Sequence, residues 1–70
     1  MDIKSTMAGT VLSIEIQLED KVEENQIVLK LESMKMEIPI ESTGNGVVKE
    51  IMVQVGDFVN EGDTLLKLKV

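Results

Sequence analysis

The chain has 70 residues, enough for one small domain spanning residues 1–70. Such a domain buries only about 60% of its unfolded surface, so a large internal active site is not expected. It has no histidine, cysteine, tyrosine or tryptophan, and all seven of its cations are lysines. This removes the usual general base near pH 7, the thiol nucleophile, the normal zinc ligands and the guanidinium fork.

A net charge of −6 argues against nucleic acid and anionic membranes as partners. No stretch approaches the roughly 20 apolar residues that span a bilayer, and the first ten residues carry no apolar run resembling a signal peptide. A cytoplasmic protein that is not an enzyme and holds no metal is therefore expected, and a monomer when isolated.

Taken in chain order, the first half reads as strands and turns. "IKSTMAGTV" (Ile3–Val11) opens it, and Ile14, Ile16 and Leu18 then alternate with Glu15 and Gln17, a half-buried strand pattern. "LED" (18–20) and "ENQ" (24–26) mark turns, and Leu29 and Leu31 alternate with Lys30 and Glu32. The second half repeats the first. Shifted by 37 places, residues 2–33 fall on residues 39–70 without a gap, and thirteen of the 32 aligned positions are identical. Ile51, Val53 and Val55 repeat the alternation, and "VGD" (55–57) and "EGD" (61–63) repeat the turns. Gly56 and Gly62 adopt positive φ cheaply. Their counterparts are Glu19 and Asn25, so the Glu19 turn is expected to differ or to carry strain.

No segment has helical periodicity. The expected fold is all-β, with two alike halves about an approximate two-fold axis. The repeat leaves over Met34–Ile38, "MKMEI", as the junction of the halves. Symmetry then relates this junction to the place where residues 2 and 70 meet, and sets Lys35 on a tip far from both.

Parity fixes the register of that tip. With a two-residue loop, Met34–Lys35, Ser33 opposes Met36, Leu31 opposes Ile38 and Leu29 opposes Ile40, all facing inward; an odd loop breaks the alternation. Two-residue hairpins prefer Asn or Gly, so Met-Lys marks a functional constraint. Met36 is expected to point inward and cap the core, and Met34 to face outward as an adaptable contact. Glu32 opposes Glu37, a like-charge pair that Lys35 beside it is expected to relieve. Glu32, Ser33 and Glu37 are candidates for a recognition surface.

"ESMKM" (Glu32–Met36) resembles the attachment motif of biotinyl domains, and the chain from "MAGTV" to "VGDFVNEGDTLLKL" (Val55–Leu68) is similar throughout to the biotinyl/lipoyl family. Within that family it looks most like small stand-alone biotin carboxyl carriers. It departs at Ser33, where many members have alanine, and at Glu19 and Asn25, where they have turn glycines. The resemblance implies a flattened barrel, the barrel-sandwich hybrid, of two four-stranded antiparallel sheets. It also implies covalent biotin on Lys35, attached by biotin protein ligase with Met34 and Met36 as flanking recognition residues. The arm then shuttles carboxyl groups from biotin carboxylase to a carboxyltransferase, with no catalysis by the carrier. The alternatives are a lipoyl carrier, whose lysine usually lies between aspartate and alanine, and an unmodified structural adaptor with the same barrel.

Overall fold

The computed structural model describes residues 1–70. Its eight strands are β1 (Asp2–Lys4), β2 (Gly9–Ile14), β3 (Lys21–Val22), β4 (Ile27–Ser33), β5 (Met36–Glu41), β6 (Gly46–Ile51), β7 (Phe58–Val59) and β8 (Thr64–Lys69), with no helix. They form two four-stranded antiparallel sheets, ordered β1-β8-β6-β3 and β5-β4-β2-β7, packed as a flattened barrel.

The repeat predicts this architecture closely. Adding 37 to β2 gives the bounds of β6, and adding 37 to β3 gives those of β7. The two sheet orders also exchange under the same shift. The register breaks recur as well, between Val11 and Ser13 on β2 and between Val48 and Glu50 on β6. The halves interleave: β3 of the first half pairs with β6 of the second, and β7 of the second with β2 of the first. Each sheet therefore draws two strands from each half.

One core of thirteen apolar residues fills the space between the sheets. Six repeat-related pairs supply twelve of them: Ile3 and Ile40, Val11 and Val48, Val22 and Val59, Val28 and Leu65, Leu29 and Leu66, Leu31 and Leu68. Gly9 and Gly46 are identical in the repeat for a packing reason. A Cβ on Gly9 would lie 2.9 Å from the Glu32 carbonyl oxygen, and one on Gly46 2.8 Å from that of Lys69.

The turns are also built twice over. Glu19 and Gly56 both have positive φ, 73° and 96°. Their amides donate to Val48 O at 2.9 Å and to Val11 O at 2.8 Å, so the Glu19 turn keeps the same form as the Gly56 turn and bears the strain of a side chain in that region. Asp20 and Asp57 accept from the amides of Gln17 and Gln54, each at 2.9 Å.

One expected strand is shorter than its pattern. β2 ends at Ile14 and β6 at Ile51. Ile16 is still buried, but Leu18 and Val55 are exposed. Alternation over 14–18 and 51–55 thus continues past the ladder into the turns, where side-chain parity no longer decides burial.

Candidate functional site

β4 and β5 form a hairpin closed by two residues, Met34 and Lys35. The observed register is the one parity requires: Ser33 opposite Met36, Glu32 opposite Glu37, Leu31 opposite Ile38 and Leu29 opposite Ile40. Both loop residues have positive φ, 52° for Met34 and 65° for Lys35. This is the primed geometry that matches the twist of the flanking strands. Held by side chains larger than those of Asn or Gly, it costs roughly 1–2 kcal/mol per residue.

Met34 is 92% exposed, which agrees with the outward reading. Met36 is not the core cap its parity suggests, because it is 62% exposed. It does lie on the inner-facing side of β5, but burial there fades from Ile40 at 2% through half-buried Ile38 to Met36. β5 is an edge strand, and its last inward position, next to the loop, faces solvent. Both methionines therefore flank Lys35 as exposed, flexible thioethers.

The acidic pair is relieved differently from the expectation. Lys30 Nζ lies 3.1 Å from Glu37 Oε1, and Lys35 takes part in neither of the chain's two ion pairs. Lys30 reaches Glu37 from the neighbouring cross-strand row, opposite Pro39. Lys35 is left as an exposed primary amine with no charged partner. The other six lysines all lie within strands. Ser33 is half-buried at the base of the loop, with Glu32 and Glu37 exposed beside it.

The chain's concavity lies elsewhere. A shallow groove of about 350 Å³ lies along β3 and β6, on the other sheet, lined by Lys21, Val22, Glu23, Asn45, Gly46 and Val47. Nowhere do three or more acidic side chains converge as a metal site would require.

A family model described as biotin-requiring enzyme matches residues 1–68. The chain belongs to the biotin/lipoyl attachment family. This attachment domain resembles part of the urea carboxylase of Kluyveromyces lactis at 28% identity and a TM-score of 0.91, over 99% of this chain and 6% of that one. It shares its fold with part of a single-chain, multi-domain long-chain acyl-CoA carboxylase at 24% identity and a TM-score of 0.86, over 94% of this chain and 7% of that one. It also resembles the lipoyl domain of the 2-oxoglutarate dehydrogenase complex from Azotobacter vinelandii at 28% identity and a TM-score of 0.79. There the match covers 100% of this chain and 96% of that one. The attachment domain thus spans under a tenth of the two carboxylases but nearly the whole lipoyl domain. No curated protein matches it significantly.

The sequence pattern points to Lys35 and its neighbours, and the structure groups them on one tip. It does not point to Phe58 on β7, whose one sequence signal is that it is the chain's single aromatic residue, at the repeat position of Lys21.

Proposed function

We propose that residues 1–70 act as one biotin carboxyl carrier domain, with biotin amide-linked to Lys35. The observation that carries this reading is an exposed primary amine without an ionic partner, flanked by two exposed methionines on a two-residue loop. The site suits a covalent acyl group. A deprotonated Lys35 Nζ attacks the activated carboxyl group of biotin, the amide C–N bond forms, the activating group leaves and one proton passes to solvent. The amide removes the lysine's charge but leaves its four-carbon stem free to rotate. Biotin, once attached, supplies a ureido ring that carries a carboxyl group.

The chain's own contribution is presentation. The strained turn and the rigid β4–β5 ladder hold the amine away from the barrel. A tethered arm then meets two active sites at high local concentration. Biotin protein ligase, biotin carboxylase and a carboxyltransferase are the partners this role requires, and they supply the catalysis.

A lipoyl carrier is the second reading, supported by the likeness to a lipoyl domain over nearly its entire length. Methionine on both sides of Lys35 favours biotin. Incubation with biotin protein ligase, biotin and ATP, and separately with lipoate and its ligase, separates the two by intact mass. Biotin addition confined to Lys35 is expected, together with its loss in Lys35→Arg, whose guanidinium stays protonated and is not acylated. An exclusive lipoate adduct, or a biotin adduct on Lys35→Arg, would refute the biotin reading.

A further inference from the structure

The two-fold repeat gives an internal control for every surface residue, and at one place the two surfaces differ sharply. On β7, the turn before it and the neighbouring part of β2, the chain exposes Phe58, Val55 and Leu12. Val55 and Leu12 flank the hydrogen bond from Gly56 N to Val11 O. Their repeat counterparts are Lys21, Leu18 and Lys49. The backbone is the same in both places: Thr10 opposes Phe58 as Val47 opposes Lys21, and Gly9 opposes Val59 as Gly46 opposes Val22. On the Lys21 side, Lys49 forms an ion pair with Glu19 at 3.3 Å. The fold is therefore satisfied by lysines where the β7 surface carries an aromatic ring. Short edge strands usually carry charge, as β3 does with Lys21, whereas β7 presents Phe58 at 66% exposure.

The register also ties Phe58 to the tip. Phe58 opposes Thr10, Thr10 opposes Glu32, and Glu32 opposes Glu37. These four form one row across the outer face of the β5-β4-β2-β7 sheet. At the usual spacing between strands, Phe58 lies about 10 Å from Glu32. Glu32 and Glu37 in turn bracket the Ser33–Met36 pair that closes the Lys35 loop.

We infer that Phe58 is a docking anchor for the biotin protein ligase, an inference that rests on the carrier function proposed above. Of the enzymes that must reach Lys35, the ligase is the one that must distinguish it from six other lysines, and a two-residue loop offers little surface for doing so. The row extends that surface. Phe58, with Val55 and Leu12, provides an apolar anchor, and Glu32, which lies between it and the tip and takes part in neither ion pair, provides a polar border. An approach from this side covers the tip and the anchor together.

The test uses the whole chain with ligase, biotin and ATP, and follows biotin incorporation by mass. Phe58→Lys installs the residue that the repeat already accommodates at position 21, and Phe58→Ala repeats the test if that variant fails to fold. Replacing Phe58 is expected to raise the KM for the carrier by about tenfold or more with kcat changed by less than about twofold, while Phe58→Tyr restores most of the loss. Lys21→Ala, the symmetry control, is expected to leave both constants unchanged. A wild-type KM in both Phe58→Lys and Phe58→Ala overturns the inference, even if later carboxyl transfer is impaired, because the surface would then serve another partner. A loss borne by kcat alone also overturns it. A wild-type chain that the ligase leaves unmodified refutes the carrier reading itself, an outcome distinct from normal labelling with an unchanged KM.

Discussion

The β4–β5 pair and the β8–β1 pair are related by the repeat and share a register. Leu29 opposes Ile40 as Leu66 opposes Ile3, and Lys30 opposes Pro39 as Lys67 opposes Asp2. They end differently. Between β8 and β1 the chain is open, and the ladder continues through the Met1 amino group donating to Leu68 O and Leu68 N donating to Met1 O, each at 2.8 Å. Between β4 and β5 it is closed by Met34 and Lys35 with left-handed backbone angles. The same strand pairing thus forms without that loop. The barrel requires the ladder. The strained residues, the exposed methionines and the unpaired amine are additions to it, which is why the functional reading rests on them.

The largest test of this comparison lies in the core. Leu31 and Leu68 are repeat partners, both fully or nearly fully buried. Leu31→Ala and Leu68→Ala are each expected to cost about 2–5 kcal/mol, with the two values close to each other. Chemical denaturation of both variants checks this. A Leu68 loss much smaller than the Leu31 loss breaks the claim that the two ends share one scaffold.

A smaller effect, of opposite sign, sharpens it. Met34→Asn with Lys35→Gly gives the loop the residues that a primed turn prefers. Stability is expected to rise by about 1 kcal/mol while biotin incorporation disappears. A melt and an intact mass measurement, made side by side, read both. If the variant is less stable, the loop is not strained as its angles imply.

The turn pair Glu19 and Gly56 extends the comparison to a second repeated site. Glu19→Gly is expected to stabilise by up to about 1 kcal/mol, the relief of positive φ being offset in part by the lost Lys49 pair and by greater freedom of the unfolded chain. Gly56→Ala is expected to destabilise by about 1 kcal/mol, although no atom lies within 4 Å of the added Cβ. Equal signs for the two changes would mean that backbone strain is not what separates them.

The smallest effect concerns the tip's electrostatics. The Lys30–Glu37 pair is substantially exposed, so a double-mutant cycle is expected to give a coupling below about 1 kcal/mol that fades in salt. A Lys35–Glu37 cycle is expected to give none. A larger coupling to Lys35 than to Lys30 would restore the arrangement that simple proximity along the chain suggests.

Much of this protein follows from its sequence because its constraints are local or repeated. The period of two in Leu29–Leu31 and Ile38–Ile40 fixes the hairpin register, since a one-residue slip would turn every inner side chain outward. The 37-residue repeat fixes the two-fold plan, since similar segments meet similar surroundings on either side of the axis. The Met34–Lys35 loop and its lysine follow from those two facts together.

What the sequence leaves open depends on atoms far along the chain. Alternation at Ile14–Leu18 reads as a strand, but β2 ends at Ile14: Glu15 N makes one more bond to β4, to Val28 O at 2.9 Å, and Gln17 N then turns to the Asp20 carboxylate. Parity turns Met36 inward, but whether an inward position is dry depends on what packs over it, and at the loop end of the edge strand β5 Met36 stays exposed. Lys35 is nearer to Glu37 in sequence, yet Lys30 makes the ion pair, because cross-strand geometry sets which side chains meet. Phe58 stands 23 residues from Lys35 in sequence, and only the order β5-β4-β2-β7 puts it in one row with Glu32 and Glu37. Periodicity determines which face a side chain takes. Only the packing of one sheet on the other, and of each strand on its neighbours, decides what that face meets.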